Sequence, residues 1–282
     1  MKRLLVANLQ QGSKSRYNLE RFETMLKSQI ENMLQIGWLR ENIIFLSNFD
    51  FEFMDIKAEK IKFNNFCLSG SKMWGMQFLF DNDRVDDIIW SSDADCWQNI
   101  WFDCPSFSGD VGACTYSNPK WNGGSIFWKP SSKDIVDEVV GKLEQYKALK
   151  EEPLLNKIFN SEKYAKRISL LNSSFNVGCS GFIPRFTRSL KPIRVCHFSP
   201  PNSIAWEIFG LDREGIGEIA VTVRLERLLR KYYPQMATEL KDKNVPAKKQ
   251  AEEKEKAKRR VKKEEQRRKK NREERLLSNS HP

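Results

Sequence analysis

The sequence of 282 residues has no run of eighteen apolar residues, so it has no segment of the length that a membrane-spanning helix needs. The first residues, Met1 to Asn8, form a short apolar stretch that leads into polar sequence with no cleavage-site pattern. We therefore expect a protein that is neither secreted nor membrane-spanning, and we expect it in the cytoplasm.

Histidines and paired cysteines are also scarce. The only histidines are His197 and His281, and the six cysteines include no Cys-x-x-Cys pair. A zinc ribbon needs such clustered ligands, and a disulfide framework needs a short chain with regularly spaced cysteines. The pattern argues against both, and it is typical of reduced, scattered thiols in a cytoplasmic protein.

Most of the chain carries little net positive charge, although the total is +11. Between Lys241 and Arg275 there are 17 Lys and Arg against 8 Asp and Glu, a balance of +9, which leaves +2 for the rest. That rest can bury a substantial core, because the chain is 40% hydrophobic and has eight tryptophans. We predict a globular domain over residues 1–240 and a basic tail over 241–282, either a solvated helix or a disordered arm.

The apolar pattern of the domain predicts an α/β fold. Buried strands are indicated at 3–7, 42–47 and 87–90, with helices over 18–39 and 71–80 between them. A strand, a helix and a strand within about fifty residues are typical of a parallel sheet, because the crossover needs a helix of this length. The second half of the domain adds strands at 110–115, 124–128 and 194–198, and helices over 132–146, 153–159 and about 219–232.

Asp93-Ala94-Asp95 follows the predicted strand at 87–90. Open α/β sheets bind their ligands at the carboxyl ends of strands. Two carboxylates there suit a hard cation such as Mn²⁺ or Mg²⁺, which binds diphosphate oxygens and stabilises charge on a leaving nucleotide. Because Asp also caps ordinary loops, the position after a strand is what favours a metal site.

Four features together resemble a known family. The segment from Ser71 to Asp95, with Ser-Lys-Met-Trp at its start, resembles the stretch that leads to the Asp-x-Asp motif of GT-A-fold glycosyltransferases of the glycogenin and lipopolysaccharide galactosyltransferase type. Three later segments keep that family's order and approximate spacing: Trp121-Asn-Gly-Gly-Ser-Ile126, Glu151-Glu-Pro-Leu-Leu-Asn156 and Val195-Cys-His-Phe198. The resemblance implies a GT-A, Rossmann-like mixed sheet flanked by helices.

For the metal site, the resemblance implies Asp93, Asp95 and His197 as ligands of the cation. A histidine beside apolar residues is more often a core residue with satisfied hydrogen bonds, so this alternative stays open for His197. Lys72 is implied to approach the donor phosphates or the nucleotide from its helix. The alternative for Lys72 is a lysine on the surface.

For the sugar, the resemblance places Asn122, Gly123 and Gly124 beside the donor sugar or the acceptor, where missing side chains let a substrate approach the backbone. An ordinary turn is the competing interpretation. Glu151 and Glu152 are the candidate catalytic residues, since either can orient sugar hydroxyls. Two acidic residues at the start of a helix also favour its dipole without any function. No residue stands out as a general base, so retention and inversion both stay open.

The chain departs from the family after its His-Phe pair. The family usually continues with Gly and then Lys-Pro-Trp, whose lysine contacts the diphosphate, whereas residues 199–206 here read Ser-Pro-Pro-Asn-Ser-Ile-Ala-Trp. Neutralisation of the diphosphate would then depend on the cation, on Lys72 or Arg194, or on a residue of the tail.

These features predict a metal-dependent glycosyltransferase that moves a sugar from a nucleoside-diphosphate sugar to a hydroxyl acceptor. UDP is the expected nucleotide because the resembling families mostly use it, and a bacterium or a phage-infected cell is the expected host. A Lys- and Arg-rich tail can neutralise the phosphates of DNA. One hypothesis for the acceptor is therefore a hydroxymethylated base in DNA, as in phage enzymes that glycosylate such bases.

Three alternatives remain. The acceptor can be lipopolysaccharide or another glycan, with no part for DNA. The chain can be a non-catalytic nucleic-acid-binding protein with a transferase-like body. It can also be a phosphatase of the haloacid-dehalogenase type, although such enzymes place their Asp pair on the first strand, and here the predicted strands at 3–7 and 42–47 come before the strand that leads to Asp93 and Asp95.

Overall fold

The computed structural model describes residues 1–9, 19–64, 67–117, 120–147, 150–178, 192–197 and 221–234. The chain divides into two compact units, Met1–Pro234 and Gln235–Pro282, and the second unit lies wholly outside the described ranges. The predicted basic tail and residues 199–206 therefore lie outside the described residues. The predicted boundary near residue 240 stays a prediction.

The first unit opens with the predicted strand, helix and strand. β1 (Lys2–Ala7) and β2 (Ile43–Ser47) pair in parallel, with Arg3 opposite Ile43. α1 (Leu19–Ile36) connects them, and its predicted end at Leu39 is wrong, because the helix ends at Ile36, before Gly37 with a φ of 107°. The predicted first residue, Asn18, lies outside the described residues. The parallel crossover expected from the spacing of these elements is confirmed.

Most strands belong to one mixed sheet. The later strands along the chain are β3 (Glu52–Phe53), β4 (Ile56–Lys57), β5 (Glu59–Lys60), β6 (Ile89–Ser92), β7 (Cys96–Gln98), β8 (Val111–Ser117), β9 (Lys120–Trp128), β10 (Ile168–Leu170), β11 (Val177–Gly178) and β12 (Val195–His197). Seven strands form the main sheet in the order β10-β8-β9-β6-β1-β2-β5. β9 runs antiparallel to β6 and β8, and the other neighbours pair in parallel. The predicted mixed α/β sheet is confirmed.

The described part of the chain has four further α-helices: α2 (Ser71–Asp81), α3 (Lys133–Tyr146), α4 (Glu152–Phe159) and α5 (Val223–Tyr232). The predicted bounds of α2, α3 and α4 each differ from these by one residue at one end. The predicted start of the last helix near 219 is wrong. It begins at Val223 because the extended Thr222 caps it, with its hydroxyl oxygen 3.3 Å from the backbone N of Leu225.

Both faces of the main sheet are covered. Successive residues of a strand point to opposite sides of the sheet, so β1 and β6 each contribute to two cores. Leu4 and Ile89 belong to the core on the side of α2, α3 and α4. Leu5 and Trp90 belong to the core on the side of α1. The helices thus enclose β1 and β6, whose carboxyl ends carry the site. Among the described helices, none is long and apolar enough to cross a membrane.

A second, three-stranded sheet lies beyond β6 along the chain. β12 pairs antiparallel with β7 and parallel with β11. The predicted strand at 194–198 is thus found as β12, whereas Phe198 lies outside the described residues. β7 begins one residue after Asp95, and this pairing brings a distant part of the chain to the Asp-x-Asp segment.

Candidate functional site

The Asp-x-Asp segment forms the turn between β6 and β7. The backbone N–H of Asp93 donates to the carbonyl of Gly124 at 2.9 Å, and the carbonyl of Asp93 accepts from the N–H of Cys96 at 3.0 Å. The side chains of Asp93 and Asp95 are 36% and 29% exposed. The turn therefore presents both carboxylates to solvent at the carboxyl end of β6.

His197 is brought to this turn by the small sheet. β12 pairs with β7 so that His197 lies opposite Cys96. The Nε2 atom of His197 is 3.3 Å from Oδ1 of Asp95 and 3.7 Å from Oδ2 of Asp93. The structure thus brings together the three residues that the sequence predicts as metal ligands. That they bind a metal stays a prediction.

Asn176 faces the other ring nitrogen of His197, with its Oδ1 atom 3.1 Å from Nδ1. When Nδ1–H donates to this amide oxygen, the lone pair of the ring lies on Nε2, toward the carboxylates. Histidines that bind metals are oriented in this way by a partner of the second nitrogen. Two carboxylates and one imidazole thus fit a divalent cation such as Mn²⁺.

The protonation of the neighbouring groups supports this donor set. Burial disfavours ionisation of Asp95, but when no cation is bound a protonated His197 donates to Asp95 from Nε2. The charge and hydrogen bond of His197 outweigh burial, so the pKa of Asp95 lies below its usual value. Cys96 lies in one cluster with Asp95 and His197, whose ligand atoms are within 4.8 Å of one another. Burial raises the pKa of the Cys96 thiol to about 12, and the thiol donates to the carbonyl of Gly124 at 2.9 Å. A protonated thiol is a poor ligand for a hard cation, so we retain the carboxylates and the imidazole.

Lys72 is buried, which contradicts the alternative of a surface lysine. Its side chain is 4% exposed, and its ammonium group contacts Oδ1 of Asp93 and Oε1 of Glu151, the second at 2.5 Å. Burial lowers the pKa of Lys72, but the two carboxylates outweigh it and raise the pKa above its usual value. Burial also raises the pKa of Glu151, and the attraction of Lys72 offsets this only in part. Lys72 therefore stays charged and holds both acids in place.

Asn122, Gly123 and Gly124 lie in β9, so the interpretation as an ordinary turn is wrong. The Oδ1 atom of Asn122 accepts from the N–H of Gly124 at 2.8 Å. A Cβ atom on Gly124 would lie 2.3 Å from the ring of His197, and one on Gly123 would lie 3.3 Å from Oε1 of Glu151. The two glycines thus let β9 pack directly against the site, and contact with a sugar stays a prediction.

A cavity of about 480 Å³ opens beside the aspartates. Phe22, Met25 and Leu68 supply apolar lining, and Lys72 and Asp93 are among the polar groups that line it. Volumes of this size, with a largely apolar lining and a few placed polar groups, are typical of small-molecule sites.

Glu151, Glu152 and Arg194 are not among the residues that line this cavity in the described part of the chain. Glu152 is the partly exposed first residue of α4. Arg194 donates to Oγ of Ser174 at 2.8 Å, and its guanidinium lies 4.8 Å from the centre of the Phe175 ring. Of the two candidate acids, Glu151 is the one that the structure places with Lys72 and Asp93, because Lys72 contacts both carboxylates.

Sequence reasoning missed two parts of the site, β7 and Asn176. The segment Cys-Trp-Gln of β7 is too short to show an alternating pattern. Asn176 belongs to none of the recognised motifs, and only its position beside His197 gives it a part. Asparagine is common in loops for local reasons, so the sequence carried no usable signal for it.

The sequence matches no protein-family model, and no curated protein matches it. Solved structures are similar. The galactosyltransferase LgtC, in complex with donor and acceptor sugar analogs, has a TM-score of 0.50 and 13% identity, over 82% of this chain and 96% of LgtC. The glycosyltransferase GlyE of Streptococcus pneumoniae TIGR4 has a TM-score of 0.48 and 14% identity, over 86% of this chain and 64% of GlyE.

A glycosyltransferase involved in the glycosylation of the major capsid of PBCV-1 has a TM-score of 0.47 and 11% identity, over 72% of this chain and 95% of that one. Of these three structures, LgtC is the one whose TM-score supports a similar fold, and at 13% identity the similarity concerns the fold alone. The described residues have the mixed seven-stranded α/β fold of the GT-A glycosyltransferases.

Proposed function

We propose that this chain is a metal-dependent glycosyltransferase that takes a sugar from a nucleoside-diphosphate sugar, with UDP as the nucleotide. One observation carries the proposal: Asp93, Asp95 and His197 converge beside a cavity of about 480 Å³. The GT-A fold supports it, because this cavity opens at the carboxyl ends of β1 and β6, where such sheets bind ligands.

Asp93, Asp95 and His197 would hold the cation, through Oδ2, Oδ1 and Nε2 respectively. A bound divalent cation neutralises diphosphate oxygens and stabilises the charge that develops on the leaving nucleotide. Lys72 prepares the site by holding Oδ1 of Asp93, which leaves Oδ2 on the side of His197. Asn176 prepares it by fixing the ring of His197.

The donor would lie in the cavity with its diphosphate at the aspartates. The apolar lining of Phe22, Met25 and Leu68 would exclude water around the nucleoside. Arg194 is held at Ser174, so among the described cations Lys72 is the one placed to contribute positive charge next to the diphosphate. Because Lys72 is already paired with Asp93 and Glu151, the metal ion would supply most of the positive charge that neutralises the diphosphate.

Glu151 is the residue that we propose to orient the sugar. A carboxylate accepts hydrogen bonds from sugar hydroxyls, and its ion pair with Lys72 keeps it in one position. Gly123 of β9 is buried against Oε1 of Glu151, so the backbone of β9 backs this carboxylate. Glu152 remains the second candidate.

For the acceptor, the charge of the tail favours a polyanion such as DNA, and hydroxymethylated bases are the hydroxyl groups that we propose there. The segment 241–275 carries 17 Lys and Arg against 8 Asp and Glu. Such a segment binds phosphates without regard to sequence and raises the local concentration of acceptor hydroxyls. Acceptor groups in lipopolysaccharide or another glycan are the alternative outcome of the test.

The test is release of UDP from a panel of UDP-sugars with Mn²⁺, alone and with DNA that contains hydroxymethylcytosine, unmodified DNA or oligosaccharides. We expect Mn²⁺-dependent hydrolysis of one donor, which falls to background in Asp95→Asn. Asp103→Asn, which changes an exposed aspartate after β7, is the matched control and keeps full activity.

Absence of hydrolysis with every donor, or hydrolysis that Asp95→Asn retains, would contradict the proposal and favour a non-catalytic nucleic-acid-binding protein. Transfer to oligosaccharides but never to DNA would end the DNA hypothesis while the transferase proposal stands.

A further inference from the structure

Arg3 is an arginine in the interior of the domain. It lies on the central strand β1, its side chain is fully buried, and its guanidinium lies 4.0 Å from the centre of the Trp90 ring. Burial lowers the pKa of Arg3 to about 9. A buried charge costs several kcal/mol unless its hydrogen bonds are satisfied, and an apolar residue of similar volume often packs at least as stably. Stability alone therefore does not explain an arginine here.

The partners of Arg3 are neutral oxygens, and two of them flank the Asp-x-Asp turn. One Nη atom is 3.5 Å from Oγ of Ser92, the last residue of β6, and 3.4 Å from the carbonyl oxygen of Cys96, the first residue of β7. Arg3 thus contacts both ends of the segment that carries the two carboxylates. It does so from the side of the core.

Gln29 on α1 completes this support. Its Oε1 atom accepts from Arg3 at 3.3 Å, and its Nε2 atom donates to the carbonyls of Ala94 at 2.7 Å and of Cys96 at 3.0 Å. A side-chain amide held by a guanidinium has one orientation, with its oxygen toward Arg3 and its NH₂ toward the turn. The carbonyl between the two aspartates is therefore fixed through Gln29 and Arg3.

The other Nη atom of Arg3 contacts β7, the strand that pairs with β12 and so with His197. This atom, Nη1, donates to Oε1 of Gln98 at 3.0 Å, and the same oxygen accepts from the indole N–H of Trp38 at 2.6 Å. Gln98 ends β7, which pairs with β12 and hence with His197. The planar guanidinium thus links the Asp-x-Asp turn to the sheet that presents the imidazole.

We infer that Arg3 is a positioning residue for the cation site, because its hydrogen bonds to Cys96, Gln29 and Gln98 fix the spacing between the two carboxylates and the imidazole before a cation binds. The inference rests on the cation site of the proposed function. It assigns no contact between Arg3 and the donor. Groups that orient metal ligands from behind change metal affinity by about 10- to 100-fold when they are removed.

The experiment is a titration of the full chain with Mn²⁺ in the absence of donor, with free Mn²⁺ measured by electron paramagnetic resonance. Arg3→Met replaces the guanidinium by an apolar side chain of similar length. We expect a variant that folds with a lowered thermal midpoint, because Oε1 of Gln29 loses its donor, and a Kd for Mn²⁺ that is raised about 10- to 100-fold. A Kd within twofold of the wild type in a folded Arg3→Met would overturn the inference.

Gln29→Leu tests the same arrangement if Arg3→Met fails to fold, because it removes the two bonds to the turn and leaves Arg3 in place. It should also raise the Kd for Mn²⁺ by about tenfold or more. Gln77→Leu is the matched control, since Gln77 donates to Asp137 on α3, and it should leave the Kd unchanged. An unchanged Kd in Gln29→Leu, or an equal rise in Gln77→Leu, would contradict the inference.

Wild-type and Asp95→Asn chains separate this inference from the proposed function. If the wild type binds Mn²⁺ and Asp95→Asn does not, the cation site stands, and the Arg3 and Gln29 variants then decide the inference alone. If neither binds, the proposed cation site fails, and the inference fails with it.

Discussion

At the scale of single residues, Gly124 shows how closely the main sheet approaches the proposed cation site. A Cβ atom at this position would lie 2.3 Å from Cε1 and Nδ1 of His197. The backbone of Gly124 does not adopt the left-handed region, so an alanine meets no backbone strain there. A glycine is therefore required, because an added methyl group would clash with the ring of His197. The clash would fall on the Nδ1 side of the ring, where Asn176 lies.

We predict that Gly124→Ala displaces the imidazole and raises the Kd for Mn²⁺ about tenfold or more, since an outer partner alone is worth that much. The added methyl group also costs about 1–3 kcal/mol of unfolding free energy, because a packed core resists added volume. Titration with Mn²⁺ and urea unfolding measure the two effects.

Gly141→Ala is the matched control, because Gly141 lies on α3 with no heavy atom within 4 Å of an added Cβ. This change should raise the unfolding free energy by up to about 1 kcal/mol, as alanine favours a helix, and should leave Mn²⁺ binding unchanged. Wild-type Mn²⁺ affinity in Gly124→Ala would show that the ring does not depend on this contact.

The same scale shows what the sequence can and cannot predict about a site. Asp93 and Asp95 are predictable because they follow a strand directly, so local sequence places them at the edge of the sheet. His197 reaches them only through the pairing of β7 and β12, which is a long-range contact with no local signal. The resemblance in the order of motifs predicted His197. Neither local sequence nor the resemblance pointed to Arg3 or Asn176.

At the scale of elements, α5 is attached to α1 by contacts that centre on Glu31. The carboxylate of Glu31 accepts from Lys231 at 2.7 and 2.8 Å and from the hydroxyl of Tyr232 at 2.5 Å. About two turns earlier on α5, Arg224 donates at 2.7 Å to Oδ1 of Asn32, the residue that follows Glu31 on α1. Burial disfavours the ionised form of Glu31, but the hydrogen bonds from Lys231 and Tyr232 outweigh it, so the pKa of Glu31 lies below its usual value.

Glu31→Gln should lower the unfolding free energy by about 1–3 kcal/mol at pH 7, because hydrogen bonds to a charged group are lost. A carboxylate with a lowered pKa stabilises the folded state above its unfolded pKa, and this stabilisation is lost as the pH falls through the folded pKa. The difference between wild type and variant should therefore be full at pH 7 and shrink below pH 4.5, the ordinary pKa of glutamate. Urea unfolding between pH 3 and pH 7 measures it.

Glu138→Gln is the control for a charge pair on a helix surface, since Glu138 pairs with Lys142 one turn away at 3.0 Å. Such pairs contribute about 0.3–0.5 kcal/mol, so the loss should be small at every pH. A loss in Glu31→Gln that is equally small, or that grows as the pH falls, would contradict the attachment of α5 through Glu31.

The elements also differ in how well the sequence predicts them. α2, α3 and α4 are long enough for apolar residues to recur at helical spacing, and their bounds were predicted to within a residue. β7 and β10 have three residues each and β11 has two, which is too short for an alternating pattern to be recognised. These short strands exist because neighbouring segments pair with them, and pairing partners cannot be identified from one strand alone.

At the scale of the whole molecule, the positive charge is concentrated in the part of the sequence that follows the described residues. Of the net charge of +11, a share of +9 lies between Lys241 and Arg275. The remaining 247 residues, which include the proposed donor site, carry +2. The charge of the segment 241–275 suits contact with a polyanion, which is the basis of the DNA hypothesis.

We predict that a chain without residues 241–282 hydrolyses the donor at the wild-type rate but loses salt-sensitive binding to DNA. Each phosphate that the tail contacts adds about 0.9 to the slope of log affinity against log salt concentration, so the truncated chain should show a much shallower slope. Fluorescence anisotropy with labelled duplex DNA between 50 and 300 mM salt measures it.

A full-length control with Gln at the Lys and Arg positions of 258–270 keeps the length and removes charge, and it should match the truncation. An unchanged slope in both would place DNA binding, if any, on the body, whereas loss of hydrolysis in the truncation would move the domain boundary into the tail.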